Sequence, residues 1–154
     1  MFLGVNTLNL DAKGRIAIPA KYRDTLAQTC ASRVVVTINP NPSDKCLWLY
    51  PENEWNDVAR RLSRLPNMQR EVQLIQRMVL GYASEVELDG QGRILLSNEL
   101  RDYAGLGKRV ALVGNMQKFE IWDAETWSGK QGDWQAEAYA DPARLSEVLG
   151  GMSL

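Results

Sequence analysis

The chain has 154 residues, 45% hydrophobic and 24% charged, which supplies enough apolar material for one packed domain and excludes wholesale disorder. With 18 Lys and Arg, 19 Asp and Glu and no histidine, the net charge is −1, and nucleophiles paired with His, an imidazole base and His-bearing zinc sites are all excluded. Residues 1–77 carry 11 basic and 7 acidic side chains and residues 78–154 carry 7 and 12, so an anionic partner is expected to prefer the first half.

Met1 to Leu10 lacks the basic and long apolar regions of a signal peptide, and no stretch approaches the ~20 apolar residues of a membrane span, so a cytosolic protein is expected. Leu8, Leu10, Ile16 and Ile18 alternate around Asp11 to Gly14, which reads as strand, tight turn, strand, with Gly14 supplying a positive φ. Pro19 ends the second strand and opens a short helix. Val34-Val35-Val36 forms the next strand, and the breaker cluster Asn39 to Asp44 separates it from the aromatic run that starts at Leu47. Cys30 and Cys46, with no CxxC, fit two reduced thiols. From Trp55 to Met78, Leu62, Leu65, Val72 and Ile75 fall at helical spacing among five arginines, giving two helices broken near Pro66-Asn67.

A second strand and turn follow, with Gly92 in the role of Gly14, and Ser97 caps a helix over Asn98 to Ala104 that stops at Gly105 and Gly107. Val110 to Leu112 reads as a strand, Val113-Gly114-Asn115-Met116 as a hairpin turn, and Ala124 to Tyr139 as a helix. Asp141 to Leu154 adds one short amphipathic piece.

These elements repeat. Leu8 to Ile18 lies over Val86 to Leu96 at an offset of 78, with Asp, Gly, Arg and Ile identical; Arg23-Asp24 lies over Arg101-Asp102, and Leu47 to Trp55 over Phe119 to Trp127 at an offset of 72. The expected organisation is a first repeat over 1–55, a helical linker over 56–80, a second repeat over 81–127 and a helical tail over 128–154, the repeats sharing one core. Each repeat holds too few strands to bury both faces alone. The expected fold is therefore mainly β with added helices (α+β), two intertwined halves forming a pseudo-twofold β-barrel without exposed edges.

The doubled Asp-x-x-Gly-Arg turn carries the chemistry. A sharp turn projects Arg15 and Lys13, while Asp11 ties back to backbone amides, an arrangement suited to an anion. Lys13, Arg15, Lys21 and Arg23 place four positive charges within eleven residues, whereas the second copy keeps Arg93 and Arg101 but has Gln91 and Glu99, so the first copy is expected to be the stronger contact. The competing reading has Arg15 and Arg93 only stabilising their turns through carboxylates.

Together with the opening Met1-Phe2-Leu3-Gly4 and the stretch Leu49-Tyr50-Pro51 to Trp55, the run Leu10 to Pro19 and its second copy Leu88 to Ile94 resemble the MraZ family of bacterial transcriptional regulators, part of the wider AbrB-like group. The resemblance covers the whole chain. It implies two tandem AbrB-like halves in a swapped-hairpin barrel, assembly into a homo-oligomeric ring of about eight subunits, and no enzymatic activity. It also implies binding to double-stranded DNA at short G-rich direct repeats in the promoter of the division and cell wall operon, which includes the regulator's own gene, and hence a nucleoid-associated protein in the cytoplasm.

The DNA-contacting turn carries over by the resemblance to Asp11 with Arg15 and to Asp89 with Arg93. From the doubled basic turn itself, Arg15 and Arg93 are expected to read bases and Lys13, with Lys21 or Arg23 in support, to hold phosphate, while Gly14 and Gly92 support the turns. A pI near 5.5 is compatible with this, because affinity follows the field within a Debye length of ~8 to 10 Å. No cofactor, metal, small-molecule ligand or membrane partner is expected.

Two readings from other classes remain. One is a ring-forming scaffold whose acidic second half recruits protein partners without reading DNA. The other is an enzyme with Asp11 and Asp89 as a carboxylate dyad, although neither is followed by the Thr/Ser-Gly of aspartic proteases. The tryptophans Trp48, Trp55, Trp122 and Trp127, with Tyr50, read as packing groups rather than base-stacking platforms.

Overall fold

A computed structural model describes residues 1–154. In chain order its elements are β1 (Val5–Asn9), β2 (Arg15–Ala17), α1 (Ala20–Cys30), β3 (Arg33–Ile38), β4 (Leu47–Pro51), α2 (Glu52–Arg64) and α3 (Arg70–Gly81). The second half adds β5 (Ser84–Glu87), β6 (Arg93–Leu95), α4 (Asn98–Ala104), β7 (Arg109–Asn115), β8 (Lys118–Asp123), α5 (Ala124–Ala138) and α6 (Pro142–Val148). They group into two compact units, Met1–Ala124 and Glu125–Leu154.

Six strands of the first unit form one antiparallel sheet in the order β1-β7-β8-β4-β3-β5, and β2 pairs with β6 in a separate ribbon. The sheet order has a pseudo-twofold relation between β8 and β4. The first strand of each repeat leaves its own half: β1 pairs with β7, Leu8 opposite Val110, and β5 pairs with β3, Val86 opposite Val34. This exchange is the swapped hairpin. The barrel takes the form of the sheet with the ribbon packed over its inner face, the ladder itself staying open between β1 and β5.

Alternation explains which residues turn inward. Ile16 and Ile94, the middle residues of the ribbon strands, face the same core as Val34, Val36, Leu47 and Leu49 of the first repeat and Val110, Leu112, Phe119 and Ile121 of the second. A smaller cluster on the other face joins Val35 and Tyr50 to Trp55 of α2 and Val79 of α3, which explains why the aromatic run is buried. Thr37, fully buried, donates to the Val79 carbonyl at 2.6 Å and ties α3 to the sheet. Both cysteines are free and buried, and burial pushes the Cys46 thiol up to about 12.

Local signals place the helix ends. Ser97 Oγ accepts from the Leu100 amide at 3.3 Å, and Gly105 closes α4 in the left-handed region at φ 59. The breakers at Pro66-Asn67 fall between α2 and α3. One local expectation is corrected. Val113-Gly114-Asn115 is strand, and the two-residue turn is Met116-Gln117, with Asn115 opposite Lys118. Gly114 serves packing: a Cβ there would lie 2.5 Å from the Leu3 nitrogen, where the N-terminal segment crosses and Phe2 exchanges two backbone bonds with Met116.

In the second unit, Asp141 caps α6 by accepting from the Arg144 amide, with Pro142 in the first turn. Along α5, the Trp127 and Trp134 rings meet edge to face at 5.3 Å. No helix of the chain is long and apolar enough to cross a membrane.

Candidate functional site

Each Asp-x-x-Gly-Arg segment folds into the same closed turn. In the first, the Asp11 amide donates to the Arg15 carbonyl at 2.9 Å and the Gly14 amide to the Asp11 carbonyl at 3.0 Å. Asp11 Oδ1 accepts from the amides of Lys13 (2.9 Å) and Arg15 (2.8 Å), and Oδ2 accepts from Arg15 Nε at 2.8 Å. In the second turn, Asp89 Oδ1 accepts from the Gln91 and Arg93 amides, and Oδ2 from Arg93 Nε at 2.9 Å. Gly14 at φ 87 and Gly92 at φ 72 occupy the left-handed region each turn requires.

The aspartate both shapes the turn and aims the arginine. Its ion pair engages only Nε, leaving the outer edge of the guanidinium, with both Nη groups, available for a second partner. The pairing with carboxylates, read from sequence as a purely structural alternative, is thus present and compatible with recognition. It pre-orders the side chain, so less rotamer freedom is lost when a ligand binds.

The ribbon brings the two arginines together. Arg15 lies opposite Leu95 and Ala17 opposite Arg93, so the outward face carries Arg15, Ala17, Arg93 and Leu95 while Ile16 and Ile94 point inward. Arg15 and Arg93 are diagonal neighbours on this face, with Cα atoms ~7 to 8 Å apart. Leu95, the end residue of β6 opposite Arg15, is 53% exposed. Lys13 extends from the tip of the first turn, and Lys21, in the first turn of α1, holds its ammonium 5.0 Å from the Tyr22 ring centroid.

The structure corrects the grouping of the basic residues. Lys13, Arg15, Lys21 and Arg23 do not form one patch at the first turn. Arg23 crosses to the second turn and lies against Gly92, and Arg101 of α4 crosses to the first and lies against Gly14. The exchange of hairpins requires this, because β2 pairs with β6 and the helix following each ribbon strand then starts beside the other repeat's turn. One arginine replaces the other, so the exchange leaves the charge at each turn unchanged, and Lys13 stays at the tip of the first turn as a charge that Gln91 does not match. Arg101 was a functional candidate that the sequence signalled only through its match to Arg23.

No carboxylate dyad forms. Asp11 and Asp89 belong to separate turns, and each is held below the usual carboxylate range, chiefly by the backbone amide of its own Arg15 or Arg93. A shared-proton dyad would raise one of them. A lowered folded pKa means the turn's contribution is fully present above the ordinary aspartate value of ~3.9 and is lost as pH falls through the lowered value. The Lys13, Arg15, Gln91 and Arg93 amide resonances are accordingly expected to hold constant in an NMR titration down to about pH 4 and to move below it. A midpoint above that value contradicts the assigned bonds.

Among the aromatic groups, Trp55 and Trp122 are buried, and Tyr50 packs between Trp48 and Trp55 at 6.4 and 5.7 Å. Lys118, which the sequence did not single out, places its ammonium 4.0 Å from the Trp48 ring centroid. Burial lowers its pKa. None of these aromatic rings lies on the ribbon.

The family model described as "MraZ protein, putative antitoxin-like" matches twice, over residues 1–78 and 79–146. The chain is 51% identical over 154 residues to a protein of Thioalkalivibrio sulfidiphilus named transcriptional regulator MraZ, with all of both chains covered. Proteins of the same name from Halorhodospira halophila and Alkalilimnicola ehrlichii are 46% and 45% identical, again with both chains fully covered.

Proposed function

The chain belongs to the MraZ family, and from that membership and the ribbon geometry we propose that it is a sequence-specific DNA-binding regulator of transcription without enzymatic activity. The name shared by its relatives supports this reading. The single observation that carries it is the outward ribbon face, on which Arg15 and Arg93 stand as pre-ordered diagonal neighbours.

The mechanism follows from dimensions and chemistry. A major groove ~12 Å wide admits a two-stranded ribbon, and an arginine fork recognises O6 and N7 of guanine bidentately. Two forks on one face suit a G-rich site, which agrees with the short G-rich direct repeats implied by the resemblance, in the promoter of the division and cell wall operon and of the protein's own gene. Lys13, at the tip of the first turn, is suited to phosphate, and Lys21 supports it. Leu95 and Ala17 provide apolar contact to thymine methyl groups. In a ring of about eight subunits the weak contacts of successive turns would add through effective concentration.

Fluorescence anisotropy of the purified protein with its own upstream DNA and a shuffled control, at two salt concentrations, tests the reading. The expected result is a tighter, salt-sensitive complex with the native sequence. Equal and weak binding to both DNAs would sink it and favour the scaffold, moving the search to protein partners.

A further inference from the structure

The helix arginines Arg23 and Arg101 make matching contacts across the two repeats. Arg23 Nε donates to the Ile18 carbonyl at 2.6 Å, and the Ile18 amide donates to the Gly92 carbonyl at 2.8 Å. Arg101 Nε donates to the Leu96 carbonyl at 3.0 Å, and the Leu96 amide donates to the Gly14 carbonyl at 2.9 Å. Arg101 is further held by Asn98 through Nη2. The guanidinium of each then rests against the glycine of the opposite turn. A Cβ at Gly92 would lie 2.7 Å from Arg23 Cδ and Cζ, and a Cβ at Gly14 would lie 2.8 Å from Arg101 Cζ.

These contacts have a functional consequence because each glycine immediately precedes the arginine on the ribbon face. A flat guanidinium packed on the glycine, together with a residue, Ile18 or Leu96, whose amide bonds the glycine and whose carbonyl bonds the guanidinium, fixes the backbone from which Arg93 or Arg15 projects. Glycine is thus required twice at each turn, once for its positive φ and once for the room the arginine occupies. Each turn is closed by bonds within its own repeat, but the arginine packed on its glycine comes from the other repeat.

We infer that Arg23 and Arg101 are positioning residues for DNA reading that act crosswise, Arg23 setting Arg93 and Arg101 setting Arg15. The inference rests on the ribbon being the DNA-binding face. It departs from sequence order, in which Arg23 stands eight positions from Arg15 and would be grouped with it.

Double-variant cycles on the full chain test it, with anisotropy against the native and shuffled DNA. Arg23→Ala combined with Arg93→Ala is expected to lose less than the product of the single losses, by ~3-fold or more, while Arg23→Ala combined with Arg15→Ala loses the full product. Arg101→Ala shows the reverse pairing. The salt slope stays unchanged in either single variant, since a positioning residue releases no counterions; a fall of about one in the slope would make it a phosphate contact and overturn the inference.

Arg23→Lys and Arg101→Lys, which keep the charge without the planar fork, retain the salt slope and recover only part of the preference for the native sequence. A DNA-free measurement separates this inference from the reading beneath it: in a folded Arg23→Ala protein the amide resonances of Asp89 to Arg93 move and those of Asp11 to Arg15 do not. If Arg15→Ala and Arg93→Ala leave DNA binding untouched, the reading of the face fails. If they abolish preference but the cycles are additive, or the resonances move on the sequence-adjacent turn, the crosswise inference alone fails.

Discussion

Arg15→Ala is expected to weaken binding to the native promoter by about 1–3 kcal/mol and to flatten the preference over shuffled DNA, whereas Lys13→Ala weakens all DNA alike and reduces the salt slope by about one. The difference lies in what each side chain offers. Arg15 has its Nε fixed on Asp11 and its outer edge free, so it projects in one orientation toward a base edge. Lys13 is a flexible point charge at the turn tip, suited to phosphate at any sequence.

Arg93→Ala is expected to cost a comparable amount, because the second turn repeats the first bond for bond and is packed by Arg23 as the first is by Arg101. Gln91 has no counterpart to the Lys13 charge, so Gln91→Ala leaves the salt slope alone. Anisotropy at several salt concentrations checks all four variants. An Arg15→Ala protein that binds both DNAs as the unaltered chain does would remove the ribbon from the account.

Much of this arrangement was legible because it is local. A turn closed by an aspartate and a glycine within five residues announces itself in sequence, and so does a serine cap followed by a helix and a glycine stop. The 78-residue offset revealed that both turns are the same device. Strand alternation put Ile16 and Ile18 on one face, and both are buried.

Pairing partners are another matter, since a period of two says which face a residue takes and nothing about which strand lies beside it. The neighbours of β1 and β5 are set by closure of a shared core, a property of the whole chain. Arg23 and Arg101 were misplaced for that reason: their chemistry was visible, but the turn they serve lies across the exchange. Gly114 was read as a turn residue because glycine signals turns more often than a close backbone crossing, and only the approach of Leu3 distinguishes the two.

Phe119→Ala is expected to destabilise the fold by about 3–5 kcal/mol, a large share of the ~5–15 kcal/mol typical of a domain. Phe119 is fully buried, opposite Leu49 on one side and Gly114 on the other, and its ring meets Phe2 at 4.2 Å and Tyr22 at 4.9 Å. Three separate parts of the chain converge on it: the N-terminal segment, α1 and the β7–β8 hairpin. The Phe2 backbone is bonded to Met116 and the Tyr22 hydroxyl to the Leu3 carbonyl at 2.6 Å, so neither ring is free to collapse into the vacated space. The cavity term should therefore be retained rather than relaxed away.

Urea unfolding at a fixed protein concentration measures the loss, with concentration held constant because any self-association contributes to apparent stability. With a slope of ~1–3 kcal/mol per molar urea, the midpoint should fall by about 1 M or more. Leu95→Ala, on the exposed ribbon face, serves as the apolar control and should move stability by no more than ~0.5 kcal/mol. A loss below ~1 kcal/mol for Phe119→Ala would mean that the N-terminal segment is not fastened to the core as the aromatic contacts and the paired Phe2–Met116 bonds require.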